Sequence, residues 1–293
     1  MKITESPREG MQSLHYSIPT EKKVRYIRQL LKIGFDTVEV GSIVSPKLIP
    51  QLADTMEVLR KVNFSDTRSN LMVLVVNKKG AEIISGVKEI THISYPHSIS
   101  QTFLNKNLNV TIEKSLETIG EIANLCEKTG KQPVIYISMA FGNPYEDPWS
   151  MEILQEGIRV LKKIGVKIIP LSNVAIEIDK QLIKKVFSQI IPEFPTIELG
   201  LHLHTTNKDW LENVLSAYDS GCRRFDSVIN GYGGCPMTGK EMLGNLKTEN
   251  LVEFAGDHGL AGNLDPDALN EAYKLVALTF MEPVSFPPDL KNQ

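Results

Sequence analysis

The chain has 293 residues, of which 42% are hydrophobic, and a formal net charge of −3. This balance gives enough apolar material for a large core, but it provides neither the basic patch that nucleic acid requires nor a polybasic membrane segment. The chain contains no run of eighteen or more apolar residues, so no membrane span is expected.

The first residues and the cysteines indicate a reducing compartment. The N-terminal stretch "MKITESPREG" is too polar for a secretory signal peptide. The three cysteines, Cys126, Cys222 and Cys235, are widely spaced and odd in number, which argues against a disulfide framework. We therefore predict a cytoplasmic protein without nucleic-acid or membrane partners.

Short apolar runs alternate along the chain with longer amphipathic segments. Such runs, rich in β-branched residues and in several cases apolar almost throughout, are typical of parallel strands covered on both faces. The predicted strands are "KITES" (2–6), "TVEVGS" (37–42), "LMVLVV" (71–76), "EITHISY" (89–95), "VIYISMA" (134–140), "KIIPLSN" (167–173), "IELGLHLH" (197–204) and "RRFDSVI" (223–229).

The intervening segments predict helices with recognisable ends. Thr20 can cap a helix with a helical apolar repeat, and Gly34 follows as its C-terminal stop. Asp265 and Pro266 are a typical start for a final helix that continues to about Phe280. The chain thus reads as repeated strand–helix units.

Eight strands alternating with helices over about 250 residues predict an α/β fold, a (β/α)8 TIM barrel. The alternative is an open doubly wound sheet, which would prefer a glycine-rich turn after its first strand, where this chain has "PREGMQ". No composition shift or linker divides the chain. We predict a single domain over residues 1–293, with the barrel over about 1–258 and a short C-terminal helical extension and tail over about 259–293.

A TIM barrel carries its chemistry at the C-terminal ends of the strands. Arg8, Glu9 and Gln12 follow the first strand, although an exposed Arg–Glu ion pair of little energetic value would have the same sequence. Glu39 stands within an apolar strand, where a carboxylate is costly unless it is paired. It should share one face with Thr37 and Gly41, and Arg8 is its expected partner if that face lines the barrel, in a structural or a functional pair.

Two histidines mark the seventh strand. His202 and His204 are two residues apart, so both rings should project from one face while Leu201 and Leu203 pack under helices on the other. Neighbouring imidazoles at a strand end make half of a divalent-metal site, and the further ligands remain to be found.

The loop after the eighth strand contains an unusual thiol. Glycines around Cys235 remove side-chain restraint, and Pro236 restricts one backbone angle. A cysteine there could be a nucleophile, an acid or base, or a metal ligand. Asn245, beyond the loop, could offer a neutral oxygen to a harder metal such as Mg or Mn.

Several of these motifs together resemble one enzyme family. "PREGMQ", "SIVSPKLIPQLADTMEVL", "HLH" and "GYGGCPMTG…GN" are similar to the motifs of the 3-hydroxy-3-methylglutaryl-CoA (HMG-CoA) lyases, metal-dependent enzymes built on a TIM barrel. The resemblance runs from Lys2 to about His258, and "SIVSPKLIPQ" and "GGCP" are its most specific parts. It implies cleavage of HMG-CoA, an acyl-CoA substrate, to acetyl-CoA and acetoacetate, as in leucine degradation and ketone-body formation, and a homodimer.

The resemblance also implies roles for individual residues. Its implied metal ligands, around a divalent cation that is Mg or Mn, are Glu9, His202, His204 and Asn245. Its implied catalytic residues are Arg8, which would stabilise the enolate oxygen, Cys235, which would carry a proton, and Glu39. Its implied substrate-binding residues are Gln12 and Asn173, to which we add Lys47 as a possible contact to coenzyme A.

The chain departs from the family pattern near this site. Glu9 stands where the lyases usually carry Asp, Asn173 stands where a strand-end Asp is usual, and Thr205 replaces the acid of "H-x-H-D". These departures keep two other functions open: a superfamily synthase that condenses an acyl-CoA with a 2-oxo acid, and a non-catalytic or altered-substrate paralogue. The short C-terminal region and the "GGCP" loop favour the lyase over the synthase.

Overall fold

The computed structural model describes residues 1–65, 67–174, 176–206, 208–233, 243–262 and 264–281. The strands are β1 (Lys2–Glu5), β2 (Thr37–Ile43), β3 (Asn70–Val75), β4 (His92–Ser98), β5 (Gln132–Ser138), β6 (Ile168–Asn173), β7 (Glu198–Thr205), β8 (Arg224–Ser227) and β9 (Gly244–Asn245). The helices are α1 (Pro7–Gln12), α2 (Thr20–Ile33), α3 (Thr55–Lys61), α4 (Lys78–Ser85), α5 (Gln101–Leu108), α6 (Ile112–Thr129), α7 (Met151–Ile164), α8 (Lys180–Glu193), α9 (Trp210–Asp219), α10 (Thr248–Asp257) and α11 (Pro266–Phe280). Short 3-10 turns cover Pro50–Leu52 and Ile229–Gly231.

The first eight strands form a closed parallel barrel. Each strand pairs in parallel with the next, and β8 pairs with β1, which completes the circle. The TIM barrel predicted from the strand–helix alternation is therefore confirmed, and the open sheet is excluded because a closed barrel has no free edges. Among the described residues, no helix is both long enough and apolar enough to cross a lipid bilayer.

The apolar face of each strand packs under the surrounding helices. Leu201 and Leu203 on β7 are at most 1% exposed and belong to the main core, as their alternation with the histidines predicts. The final helix, α11, packs against α2, and Asp265 caps its first turn by accepting from two backbone N–H groups. The C-terminal helix is thus joined to the barrel wall.

Polar side chains fill the N-terminal end of the barrel. Arg224 on β8 is 1% exposed, and its guanidinium donates to Glu198 Oε1 (3.0 Å) and to Thr37 Oγ1 (3.4 Å). Gly200 leaves space for it, because a Cβ there would lie 3.2 Å from two atoms of the Arg224 side chain. This arrangement closes the barrel floor opposite the predicted site.

A bulge in β2 changes the predicted alternation. The register with β3 shifts between Glu39 and Gly41, so these two residues do not share a face. A Cβ on Gly41 would lie 2.5 Å from Thr55 Cγ2 on α3, which places Gly41 against an outer helix. The expectation that Gly41 lies beside Glu39 is therefore wrong, whereas Thr37 does contact Arg224 inside the barrel.

Glu5 is a buried carboxyl on the outer face of the barrel. Its oxygens accept from the backbone N–H of Ile229 (3.1 Å) and from Thr248 Oγ1 (2.5 Å), joining the end of β1 to the start of α10. Burial raises the pKa of Glu5 to about 8, although the two hydrogen bonds oppose this shift. The group is therefore structural and largely protonated at neutral pH.

Candidate active site

A short helix places Arg8 at the C-terminal end of the barrel. Pro7 begins α1, where its restricted φ suits the first helical turn. Arg8 then donates through Nε (2.9 Å) and Nη2 (2.6 Å) to Glu39 Oε2, and through Nη1 (3.0 Å) to Gln12 Oε1, one helical turn later. Glu39 also accepts from Ser94 Oγ (3.1 Å), so the predicted pairing of Arg8 with Glu39 is present.

This pairing fixes the charge of Arg8. Burial opposes the guanidinium charge, but the carboxylates of Glu39 and Glu9 outweigh it and raise the pKa of Arg8. Because Glu39 is fully buried behind Arg8, its carboxylate contacts the guanidinium, and Arg8 itself lines the cavity described below. Glu39 thus contacts Arg8 and is not among the residues that line the cavity, and its catalytic role stays a prediction.

Three side chains of the kinds that bind metal ions lie close together beside Arg8. His202 Nε2 lies 3.1 Å from His204 Nε2, and Glu9 Oε1 lies 3.4 Å from the first of these atoms and 3.7 Å from the second. All three residues are at most 8% exposed. The strand alternation brings the two rings to one face, and α1 brings the carboxylate over them.

The spacing of these atoms fits a single divalent cation. Two ligand atoms each about 2.1 Å from an ion and at right angles to one another stand about 3 Å apart, and wider bond angles increase that separation. The observed separations of 3.1 to 3.7 Å fall in this range. Two imidazole nitrogens and one carboxylate oxygen are a common donor set for divalent transition metals, so the residues fit the metal that the family implies.

Asp226 is a site residue that the sequence reasoning missed. The register of β7 with β8 places His202 opposite Asp226, and His202 Nδ1 lies 3.1 Å from Asp226 Oδ2. A carboxylate there holds a proton on Nδ1, so Nε2, which lies near Glu9 and His204, is the nitrogen that would bind a cation in exchange for its own proton. The signal was present in "RRFDSVI", where an acid interrupts an apolar strand as Glu39 does.

The pKa values of the three ligand groups reflect their mutual charges. Burial opposes a charged His202, but Glu9 and Asp226 outweigh it and raise its pKa to about 10. Burial and the charge of His202 lower the pKa of His204 to about 4. Burial also opposes the charge of Glu9, yet His202 and Arg8 hold its pKa well below the usual range. Without a bound cation, a proton on His202 is therefore the positive charge that balances the neighbouring carboxylates.

A cavity of about 410 Å³ opens above these groups. Its polar residues include Arg8, Glu9, Gln12, His202 and His204, and much of its remaining wall is apolar, with Leu74, Val76, Pro96, Phe103 and Val174 among the lining residues. The ring of Tyr136 also lines it and meets the ring of His202 edge-on, with centroids 5.5 Å apart. Such a cavity, apolar with a few convergent polar groups at one place, is typical of a small-molecule site.

A two-residue strand brings Asn245 to the site. β9 pairs antiparallel with the end of β7, with Asn245 opposite His204. Its side-chain Nδ2 donates to the carbonyl of Tyr232 (2.8 Å), which orients the amide and leaves Oδ1 as the atom that can bind a cation. Asn245 therefore lies opposite His204, and its role as a metal ligand stays a prediction.

Three further predicted residues have different outcomes. Asn173 is fully buried, donates to the carbonyl of His204 (2.7 Å) and accepts from its N–H (2.8 Å), so its amide joins β6 to β7, and its role in substrate binding stays a prediction. Lys47 is exposed and lies outside the set of residues that line the cavity, where neighbouring Leu48 does contribute. Cys235 lies outside the described residues.

The chain matches the HMGL-like family model over residues 2–276. Mitochondrial hydroxymethylglutaryl-CoA lyase from Bos taurus is 33% identical over 275 residues, covering 93% of this chain and 83% of the relative, and the cytoplasmic 3-hydroxy-3-methylglutaryl-CoA lyase from Rattus norvegicus is 30% identical over 276 residues, covering 93% and 79%.

Solved structures agree with these relatives. An HMG-CoA lyase from Acinetobacter baumannii, in complex with coenzyme A and 3-methylmalate, superposes with a TM-score of 0.86 at 30% identity, covering 95% of this chain and 90% of that one. The Bacillus subtilis HMG-CoA lyase gives a TM-score of 0.88 at 28% identity, covering 94% and 92%. Fold, cavity and ligand cluster together with these matches lead to one conclusion: the chain belongs to the HMGL-like family.

Proposed function

We propose that this protein is a divalent-metal-dependent carbon–carbon lyase that cleaves a 3-hydroxyacyl-CoA, with HMG-CoA as the substrate and acetyl-CoA and acetoacetate as the products. The observation that carries the proposal is the convergence of Glu9, His202 and His204 beside Arg8 at the cavity. The names of the relatives supply the substrate, and the bacterial complex with coenzyme A supports an acyl-CoA ligand.

The metal ligands in this proposal are Glu9, His202, His204 and Asn245. A bound divalent cation lowers the pKa of a substrate hydroxyl and neutralises nearby negative charge. Asp226 fixes the proton on Nδ1 of His202, so the ring presents Nε2 to the cation. The oxygen donors of Glu9 and Asn245 suit Mg or Mn, the metals that the family resemblance implies, whereas the two imidazoles are more typical of transition-metal sites.

Arg8 stabilises the negative charge that forms on the thioester. Once a base at the site has accepted the proton of the 3-hydroxyl, the bond between C2 and C3 breaks, and its electron pair remains on C2 as an acetyl-CoA enolate while C3 becomes the ketone of acetoacetate. The guanidinium, held by Glu39 and Gln12, directs its charge toward the cavity without having to reorganise. Cys235 is proposed to deliver the proton that converts the enolate to acetyl-CoA.

The wider setting of the enzyme follows from these products. Acetyl-CoA and acetoacetate connect the proposed reaction with leucine degradation and ketone-body formation. A homodimer remains our prediction for the assembly, as does a cytoplasmic location, since the relatives carry both mitochondrial and cytoplasmic names.

A turnover assay over a small panel of 3-hydroxyacyl-CoA thioesters tests the proposal. Purified protein with Mg²⁺ or Mn²⁺ is expected to release acetyl-CoA and acetoacetate from HMG-CoA, and chelation of the metal is expected to stop the reaction. Condensation of an acyl-CoA with a 2-oxo acid in the same preparation would favour the synthase. Metal binding without turnover of any branched 3-hydroxyacyl-CoA would refute the lyase and support the altered paralogue.

A further inference from the structure

The end of the C-terminal helix lies against the rim of the active site. Phe280, the last residue of α11, is 5% exposed, and its ring stacks on that of Tyr232 with centroids 4.7 Å apart and planes inclined by 17°. Tyr26 meets the Phe280 ring edge-on at 5.9 Å, and the hydroxyl of Tyr16 donates to the Phe280 carbonyl. The ring of Phe280 is therefore held by groups from two other parts of the chain.

The helix that carries Arg8 and Glu9 packs against the same stack. A Cβ on Gly10 would lie 3.1 Å from Phe280 Cε1, 3.2 Å from Tyr232 Cβ and 3.2 Å from Val228 Cγ1. These separations leave no room for a larger side chain without displacement of its neighbours. Movement of Phe280 or Tyr232 would therefore also displace α1.

Tyr232 is directly connected to Asn245. Its carbonyl accepts the hydrogen bond from Asn245 Nδ2 (2.8 Å), and the position of a Cβ on the next residue, Gly233, would be only 2.8 Å from that nitrogen and 2.8 Å from the carbonyl oxygen of Glu9. Gly233 is thus packed against both the amide of Asn245 and the backbone of Glu9. The orientation of the Asn245 amide therefore depends on the position of the Tyr232 carbonyl.

We propose that Phe280 is a positioning residue for the metal site, acting through Tyr232 on the side chain of Asn245. The inference rests on the ligand role proposed above for Asn245. The stack fixes the Tyr232 backbone, the Tyr232 carbonyl fixes Nδ2 of Asn245, and Oδ1 would then be available to a cation without first having to be ordered. The C-terminal helix is by this argument part of the metal site, although it contributes no ligand.

Phe280→Leu tests the proposal in the purified full-length protein. Leucine keeps an apolar side chain but removes the stack, so we expect the Kd for Mn²⁺, measured by titration calorimetry, to rise about tenfold, as for loss of other groups that orient a metal ligand. Phe254→Leu is the matched control, because Phe254 is 1% exposed and stacks on His258 with centroids 4.2 Å apart, in a different ring cluster. This control should lower the melting temperature and leave the Kd unchanged.

A double variant distinguishes a positioning role for Phe280 from a general loss of structural stability. In an Asn245→Ala background, Phe280→Leu should change the Kd for Mn²⁺ by less than about twofold, because the group that it positions is already gone. Tyr232→Leu should reproduce the weakened binding, whereas Tyr232→Phe, which keeps the ring, should bind Mn²⁺ like the parent protein. An equal further loss in the Asn245→Ala background would overturn the proposal.

Other outcomes also decide the matter. If Phe280→Leu and Tyr232→Leu lower the melting temperature but retain the parent Kd, the stack is only structural and the proposal is wrong. If the parent protein binds Mn²⁺ and the variants weaken that binding, but HMG-CoA is not cleaved, the positioning role stands and the proposed reaction fails. A parent protein that does not bind Mn²⁺ would overturn both.

Discussion

Replacing Asp226 with asparagine would remove the negative charge behind His202 while keeping the size and shape of the side chain. The carboxylate lies 3.1 Å from His202 Nδ1 and is 2% exposed, so water can replace little of the lost interaction. An asparagine oxygen can still accept from Nδ1, and the ring should therefore keep its orientation. The substitution thus tests the charge of Asp226 separately from its shape.

The expected magnitude follows from the two kinds of hydrogen bond. A bond to a charged acceptor contributes about 1.5–3 kcal/mol and a neutral one about 0.5–1.5 kcal/mol, so the substitution should cost roughly 1–1.5 kcal/mol of metal binding. Since about 1.4 kcal/mol is a factor of ten, the Kd for Mn²⁺ should rise about tenfold. Asp226→Ala, which also removes the acceptor, should approach the hundredfold end of the range seen for such groups, about 10- to 100-fold.

Calorimetric titration with Mn²⁺ and kinetics at graded metal concentrations would measure both effects. We expect the metal concentration for half-maximal activity to rise with the Kd, while kcat at saturating metal changes much less. Asp36→Asn provides a control, because Asp36 is an acid paired with Arg224 at the opposite end of the barrel. Unchanged Mn²⁺ affinity in both Asp226 variants, with the fold intact, would show that Asp226 does not prepare His202 for a metal.

Three further predictions concern other groups. Arg8→Lys should lower kcat about 100-fold, because lysine keeps the charge but cannot reproduce the fixed fork toward Glu39 and Gln12, and a near-native kcat would remove Arg8 from the reaction. Cys235→Ser should reduce turnover severely without changing the melting temperature, and near-native activity would show that the thiol carries no proton in the reaction. For Glu5, the folded pKa of about 8 exceeds the unfolded value of 4.5, so folding favours the protonated carboxyl. The contribution of this group to stability is full below about pH 4.5 and is lost as pH rises toward 8, because the buried carboxylate is poorly solvated. Glu5→Gln should therefore flatten the denaturant-measured stability between pH 5 and 8, and an unchanged slope would contradict the buried, protonated carboxyl.

The parts of the site that follow from local periodicity could be predicted from the sequence. The alternation in "HLH" puts both histidines on one face of β7, and a carboxylate in an apolar strand requires a partner, which Arg8 provides. Each of these inferences needs only the geometry of a strand and the cost of an unpaired charge.

The remainder depends on contacts between distant segments. Asn245 reaches His204 because β9 pairs antiparallel with β7, and no local pattern in two residues specifies such a strand. The pairing of Asp226 with His202 depends on the register of two strands, which one sequence does not reveal. Asn173 was expected to bind substrate, but its amide satisfies the backbone of His204, a use that the residue type alone cannot distinguish.

The charges gathered at the C-terminal end of the barrel have a consequence for substrate entry. Glu9, Glu39 and Asp226 are three buried carboxylates close to Arg8 and His202, and because the pKa of His202 is about 10, this cluster without a cation has a net charge of about minus one. A divalent cation that displaces the proton of His202 would cancel the remaining charge. Asn173 and Thr205 add no acid where the resembled lyases usually have two, so the loaded site would be close to electroneutral. A negatively charged thioester could then approach its walls without electrostatic repulsion.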